Sequence, residues 1–353
     1  MAIDWAAGGY AVRAWHARTV DPATWAESGE LSGVRSMTVE RSDDGDAPLL
    51  ESAEVVLDEE VGAEPFSGWL RLTATVEQAG QFERVDMATV WCERSASEVS
   101  HGIDGRTLAG RSVLWPCSKG YAWDVSGGYA PAGSDGAELA ARMVATTTPA
   151  PVSVEGGFTV DGHVVFDQSA TVLDAAWLLL KAGGYRIRLS GDGRITIGPN
   201  PTEPALELDA ANASIVVPRV GIDADTMGVP NVYRAQDGTE VAVARNDDPS
   251  SPVSTVSRGW EHVMRDDSPV RVNGETLAAY AARRLEEEST ISRSLSYSRE
   301  WWPDVVAGDI VRGSLASVGL EGDMRVRRQR VQCALGMPVE EEASLEVRLW
   351  QRS

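Results

Sequence analysis

Val229-Pro-Asn-Val-Tyr-Arg-Ala235, then Glu240-Val-Ala-Val-Ala-Arg245, then Asn246-Asp-Asp-Pro-Ser-Ser-Pro252-Val-Ser254-Thr-Val-Ser-Arg-Gly259 is the most specific stretch of the chain. Its first two segments are short runs rich in valine and alanine, read as paired strands. The third is a polar loop broken by prolines. Asn246 and Asp248 offer side-chain hydrogen bonds to turn backbone. Pro252 has no N–H and is expected to end a strand and block pairing at an edge. A helix is predicted over 273–288, with Asn273 as its cap. Leu277, Tyr280, Ala281, Arg284 and Leu285 share one face, and Glu286 to Glu288 form a solvated face. Beyond it come Tyr297, Trp301-Trp302-Pro303 and Val306-Ala-Gly308-Asp309-Ile-Val. Gly308-Asp309 suits a hairpin turn needing positive φ.

Working outward, strands are predicted at 294–300, 309–314, 323–332 and 344–350, and Ser214-Ile-Val-Val-Pro reads as another. Upstream of Val229 lies an α+β pattern. Gly136 to Val144 reads as a helix, and Phe158 to Phe166 as a hairpin with a type I′ turn at Asp161-Gly162. Thr171 to Ala182 reads as a helix stopped by Gly183-Gly184. Tyr185 to Leu189 and Arg194 to Ile197 form a second hairpin around Gly191-Asp-Gly193. From 36 to 125 the pattern is β again, with alternating segments near Met37, Glu54, Trp69, Arg84 and Thr107. Residues 1–35 read as an irregular arm, broken by Gly8-Gly9, Asp21-Pro22, Ser28-Gly29 and Ser32-Gly33, with Trp5, Trp15 and Trp25 as separate anchors because a spacing of ten fits neither helix nor strand period. The organisation expected is an arm at 1–35, a β-barrel at 36–125, an α+β domain at 126–205 with its helix at 171–182, and a second β-barrel at 206–353 with the inserted helix.

Composition sets limits. The chain has 353 residues, 43% hydrophobic and 24% charged, an ordinary globular balance. No apolar run approaches the roughly 18 residues of a membrane helix. The N-terminus lacks the basic and apolar regions of a secretory signal. Cys92, Cys117 and Cys333 are odd in number and far apart, so neither a disulfide framework nor a zinc site is expected. Fifty-three acids face 32 bases, a net charge of −21. That excludes stable wrapping of nucleic acid, which needs a basic stripe. It permits DNA to slide past without sticking.

Catalytic motifs are missing. There is no G-x-S-x-G elbow, P-loop or H-E-x-x-H, and Gly191-Asp-Gly193 opens a strand rather than a helix, so it is no dinucleotide fingerprint. His16, His101, His163 and His262 are each alone in sequence. Asp43, Asp44 and Asp46 around Gly45 do not continue in EF-hand register and read as a solvated turn. Asp58 to Glu60 read as an exposed acidic loop. No catalytic, cofactor-binding or metal-ligating residue is expected, and the chain is not expected to be an enzyme.

Taken in order, these segments resemble the hub-type tail proteins of tailed phages and prophages, which sit at the base of the tail tube. The resemblance is carried by the N-x-D-P-x-S-P loop with Asn246, Pro249, Pro252, Ser254 and Gly259. Next come the helix with Ala279-Tyr-Ala-Ala-Arg-Arg-Leu285 and the turn with Pro303, Gly308 and Asp309. Looser points are Thr24-Trp25, Leu31-Ser-Gly-Val-Arg-Ser36, Leu49-Leu50-Glu-Ser-Ala53, Gly68-Trp-Leu-Arg-Leu72 and the helix-then-hairpin from Thr171 to Ile197. The resemblance implies a mainly β fold with α+β, in which two small tube-type β-barrel domains flank an α+β domain. It implies a homotrimer whose two barrels per chain give a pseudo-sixfold ring joining a sixfold tail tube to a threefold tip. Its partners would be the tail tube or distal tail protein, a tip, spike or fibre protein, and the tape measure protein, without cofactor or membrane. Its place would be the virion tail, assembled in the bacterial host cytoplasm. Spike and lytic parts are expected on separate proteins. The alternatives are a hexameric distal tail or tube protein, and a carbohydrate-binding or glycan-cleaving tail module, which exposed and co-located tryptophans would favour.

Overall fold

The computed structural model of the chain describes residues 3–5, 9–43, 49–57, 66–93, 106–209, 216–221, 226–315, 320–333 and 338–351. The fold is mainly β, with helices gathered into two α+β units. Asp44 to Asp46, Asp58 to Glu60, His101 and the start of the strand read at Ser214 lie outside the described residues.

The first half of the main sheet comprises β1 (Ala11–Val20), β2 (Glu27–Leu31), β3 (Val34–Ser42), β4 (Leu50–Leu57), β5 (Ser67–Gln78), β6 (Gln81–Glu93) and β7 (Arg106–Ser112), in the order β3-β4-β7-β6-β5-β1-β2. β4 alternates buried and exposed residues along its length, the period of a strand with one face on a core. The strands wrap Val39, Val55, Leu70, Leu72, Val76 and Val90. The expected arm at 1–35 is corrected: β1 is a ladder strand, paired with β5 from Ala11↔Glu77 to Val20↔Trp69. Its alternation is hidden because its charged side chains are matched across strands, Arg13 to Glu77 at 2.5 Å, His16 to Glu30 at 2.7 Å and Arg18 to Glu27 at 3.2 Å. Such pairs suit a half-covered face that hydropathy does not mark.

The first α+β unit opens with a 3₁₀ turn (Trp115–Ser118). It continues with α1 (Ala122–Ser126), β8 (Tyr129–Ala130), α2 (Gly136–Thr147), β9 (Val152–Val154), β10 (Val164–Val165), α3 (Val172–Gly183), β11 (Tyr185–Leu189) and β12 (Ile195–Pro199). α3 begins where Thr171 and Asp174 form a capping box and ends at left-handed Gly184. α2 and α3 pack on the β11-β12-β9 sheet through Leu179, Leu180, Ile187, Leu189, Ile195 and Ile197. The hairpin expected at 158–166 does not form. β10 pairs with β8, and Val160 bridges to Val272. Asp161, expected in a tight turn, instead accepts the Gly274 and Glu275 amides at 2.6 and 2.9 Å. Two longer-range partners thus outcompete a local turn.

The second half of the main sheet holds β13 (Pro204–Asp209) and β14 (Val216–Gly221), and resumes after a second α+β unit. That unit contains β15 (Val232–Asp237), β16 (Glu240–Arg245), a helical turn α4 (Thr255–Arg258), β17 (Val263–Asp266) and α5 (Leu277–Glu288). The sheet ends with β18 (Thr290–Glu300), β19 (Ile310–Leu315), β20 (Leu320–Gln332) and β21 (Pro338–Arg348). Residues 206–353 therefore hold more than strands and one inserted helix: α5 lies on its own sheet, ordered β16-β15-β17. Its cap is Thr276, not Asn273, which takes φ +56 in the preceding turn and pairs with Thr159. The predicted buried face holds: Leu277, Tyr280, Ala281 and Leu285 are buried.

β20 unites the two halves. It pairs with β19 through its first residues, with β3 from Arg328↔Ser42 to Gln332↔Thr38, and with β21 over most of its length. One continuous sheet therefore runs β14-β18-β21-β20-β3-β4-β7-β6-β5-β1-β2, with β19 and β13 branching from β20. The second half wraps one apolar cluster, and the first half another to which Trp301, Val331, Cys333 and Val339 of the second also contribute; no ladder closes either half among the described residues.

Candidate functional site

The seam between the halves is crossed by a buried polar chain. Glu51 on β4, Arg41 on β3, Gln329 on β20 and Glu341 on β21 lie in one cross-strand row. Arg299 reaches the row from β18. Arg41 Nε donates to Glu51 Oε2 at 2.7 Å, and Arg41 Nη1 to Gln329 Oε1 at 3.3 Å. Gln329 Nε2 donates to Glu341 Oε1 at 2.8 Å and to the Val305 carbonyl at 2.7 Å. Arg299 closes the row with a two-pronged contact to Glu341, at 2.5 and 2.8 Å. Burial pushes the Glu51 carboxyl up, and Arg41 pulls against it without prevailing. Burial works against the Arg299 charge, but the Glu341 carboxylate beside it holds its pKa up. Charges this deep persist only when partnered. Every charge here is engaged, so the row fixes register rather than offering an acid or base.

The opposite face of the seam is open. Arg330 stands between Glu40 at 3.1 Å and Glu340 at 3.7 Å. With Arg328 and Glu342 these line a groove of about 810 Å³. This wall mixes acids with arginines.

The first α+β unit is wedged against both halves. The tip of its β11–β12 hairpin enters the first: Thr89 Oγ1 donates to the Gly191 carbonyl at 3.1 Å, and Arg71 Nη2 and Trp25 Nε1 both donate to the Asp192 carbonyl at 2.9 Å. A Cβ on Gly191 would lie 1.9 Å from the Asp86 carbonyl oxygen, so the approach needs glycine. Beneath, Trp25 packs at a tilt on Trp69, which meets Trp91 edge to face. The averted face of β11 meets the second half. Arg186 pairs with Asp309, and Arg188 Nη2 reaches Asp309 Oδ2 at 3.3 Å and the Asp304 carbonyl at 2.9 Å.

The residues singled out in sequence fall in two places. Gly308 and Asp309 sit at this junction. Gly308 has φ +91 as expected, and a Cβ there would crowd Arg186 Nη1 at 2.3 Å. The turn is not a hairpin, since β18 and β19 do not pair; the Asp309 carboxylate instead accepts the Val306 amide at 2.9 Å while binding the arginines. Pro303 starts the turn that precedes it. Asn246, Pro249, Pro252, Ser254 and Gly259 form the second place. Asn246 is fully buried; its Nδ2 donates to Ser251 Oγ at 3.0 Å and its Oδ1 accepts the Asp248 amide at 3.2 Å. Ser254 caps α4 by accepting the Ser257 amide at 3.0 Å, Gly259 ends it at φ +72, and the Pro249 carbonyl accepts from Ser257 Oγ at 3.3 Å. Pro252 does not end a strand: β16 stops at Arg245, and Pro252 lies inside the following turn. Ser251 Oγ donates to the Leu349 carbonyl at 2.9 Å, which ties the loop to the chain end of β21.

The seam row was missed. Its signal is faint but present: Arg41, Glu51, Gln329 and Glu341 occupy positions whose period-2 neighbours Val39, Ala53, Val331 and Val339 are buried. Asn231, buried and holding the His262 amide at 2.7 Å and the Trp260 carbonyl at 3.0 Å, was likewise passed over. Among the described residues, no group of three or more His, Cys, Asp or Glu is placed to hold a metal ion. No helix there is long and apolar enough to cross a membrane.

Scans against family models and against curated proteins find no match. Solved structures do match over nearly the whole chain. The tail protein from Neisseria meningitidis MC58 aligns at TM-score 0.61 and 16% identity, covering 96% of each chain. The 43 kDa tail protein of prophage MuSo2 from Shewanella oneidensis aligns at 0.62 and 14%, covering 95% of this chain and 98% of that one. Prophage tail protein gp18 from Listeria monocytogenes EGD-e aligns at 0.54 and 10%, covering 93% and 94%. At such identities the likeness is one of fold, and it takes in both halves of the sheet and both α+β units: this chain has the fold of prophage tail proteins.

Proposed function

We propose that the chain is a structural, non-catalytic tail protein of the virion, the hub at the base of the tail. Three copies close a ring with two sheet halves each, giving six similar walls that join a sixfold tail tube to a threefold tip. The observation that carries this reading is the end-to-end match of fold with three tail proteins, each covered to 94% or more of its own length. The continuous sheet fits it, since one chain then supplies two adjoining wall segments without a flexible linker. DNA passes through the ring without binding. The net charge of −21 favours this, though the open face of the seam is mixed in sign rather than uniformly acidic. The tube or distal tail protein, the tip, spike or fibre protein and the tape measure protein are the proposed neighbours in the tail, after assembly in the host cytoplasm.

Native mass spectrometry of the purified chain across a concentration series tests the reading. A trimer is expected; a hexamer would move it to a distal tail or tube protein. The glycan alternative finds less support. Of the tryptophans, Trp25, Trp69 and Trp91 lie in the docking contact, Trp5 and Trp301 pack edge to face, and the two exposed ones, Trp123 and Trp260, belong to different units.

A further inference from the structure

The two α+β units share a plan, with the third strand on the second hairpin strand in one and on the first in the other, and are used differently. Each has a hairpin with a third strand parallel to it and helical cover on one face. In the second unit Tyr233, Ala235, Ala242 and Ala244 face α5. The averted face carries Val241, Val243 and Val263, which are 45%, 54% and 39% exposed. Between them lie Arg234 and Arg265, opposite one another in the ladder, with Val243 on the other flank of Arg234. Among the described residues neither arginine has a hydrogen-bond or ion-pair partner. In the first unit the uncovered face also carries two arginines, Arg186 and Arg188 of the edge strand β11, and these are held by Asp309 of the second half. The hairpin tips differ in the same way. Gly191 is pressed on the first half, whereas a Cβ on Gly238 would meet nothing within 4 Å.

We propose that the averted face of the β16-β15-β17 sheet docks on an acidic surface of a second copy of this chain. The second unit then does between copies what the first does within one. Arg245 on this face is answered by Glu261, but Arg234 and Arg265 face each other with no carboxylate on either among the described residues, and exposed valines flank them; carboxylates set among apolar groups would answer both. A chain with 53 acids to 32 bases offers such a surface. Among the described residues β16 is also an edge strand, with β15 as its one ladder neighbour. The inference rests on the ring proposed above and extends it by naming a contact.

The test is association of the full chain, followed by native mass spectrometry and sedimentation velocity, for wild type, Arg234→Glu/Arg265→Glu and the exposed control Arg142→Glu. The double variant is expected to raise the association midpoint at least tenfold while the control leaves it unchanged, and added salt should weaken wild-type association. Hydrogen exchange of the wild type gives a second readout that needs no variant: amides of 240–245 should slow when the chain assembles. A wild type that assembles with a double variant of equal midpoint, or with unchanged exchange at 240–245, overturns the docking face and leaves the ring standing. A wild type that stays monomeric at all concentrations overturns both.

Discussion

The two α+β units pose a natural experiment within one chain. Each puts arginines on the sheet face that its helices do not cover, Arg186 and Arg188 in the first and Arg234, Arg245 and Arg265 in the second, where Arg245 pairs with Glu261. In the first unit that face is closed by Asp309 and the hairpin tip is sealed by Thr89, Arg71 and Trp25. In the second unit the face and the tip stand open. The difference is one of reach: among the described residues, the same kind of face is closed where a carboxylate of the chain lies against it and open where none does. Where the chain can reach such a face with its own carboxylates, it does.

If the contrast is real, equivalent substitutions must have unequal costs in the isolated chain. The largest gap is expected at the arginine faces. Asp309→Ala leaves Arg186 buried without its carboxylate and should cost about 3–5 kcal/mol in urea unfolding. Arg234→Ala, on the open face, should stay within about 0.5 kcal/mol. Equal costs would break the comparison. The tips come next. Gly191→Ala forces a methyl against the Asp86 carbonyl and should cost about 2–3 kcal/mol. Gly238→Ala pays only for its left-handed backbone, about 1 kcal/mol.

A third measurement reads the docked unit locally. Cys117 lies in its core with its thiol pushed up to about 12 by burial, as are Cys92 of the first half and Cys333 after β20, which share one apolar cluster. Native protein should resist alkylation at all three. Asp309→Ala should speed labelling of Cys117 by about tenfold, ahead of the other two, if undocking loosens the unit before the sheet. Simultaneous labelling would mean the two open together.

The smallest effect is one of pH. Burial pushes the Asp192 carboxyl at the docked tip up, but hydrogen bonds from Ser190 and Arg194 outweigh it and hold it below the usual range. A carboxyl lowered in the folded state contributes stability above its unfolded pKa, near 3.9, and that contribution is lost as pH falls through the folded value. Below about pH 4, wild type should therefore lose a few tenths of a kcal/mol more than Asp192→Asn, the partly exposed site being screened. Parallel curves would show that these bonds add nothing.

Much of this was legible in the sequence where local chemistry decides. The extent of α3 and its glycine stop, the left-handed Gly308, the buried stripe of α5 and most strands of the main sheet follow from period and turn residues. What was illegible depends on distant partners. β1 looked irregular because Arg13, His16 and Arg18 find acids only on neighbouring strands. Asp161-Gly162 looked like a hairpin because nothing local announces the Gly274 and Glu275 amides. The seam row was invisible because Arg41 and Gln329, 288 residues apart, mean nothing until β3 and β20 pair.

That pairing has a mechanical consequence. A hinge needs a segment that bends without breaking hydrogen bonds, and β20 offers none between the halves: rotating one against the other would shear the β3–β20 ladder and tear the charged row behind it. Strain arriving at either half is thus shared across the backbone and not absorbed by a linker. In the trimeric ring proposed above, three such stiff bodies would leave three joints at which it can widen, rather than six, and dilation during passage of DNA would be concentrated there.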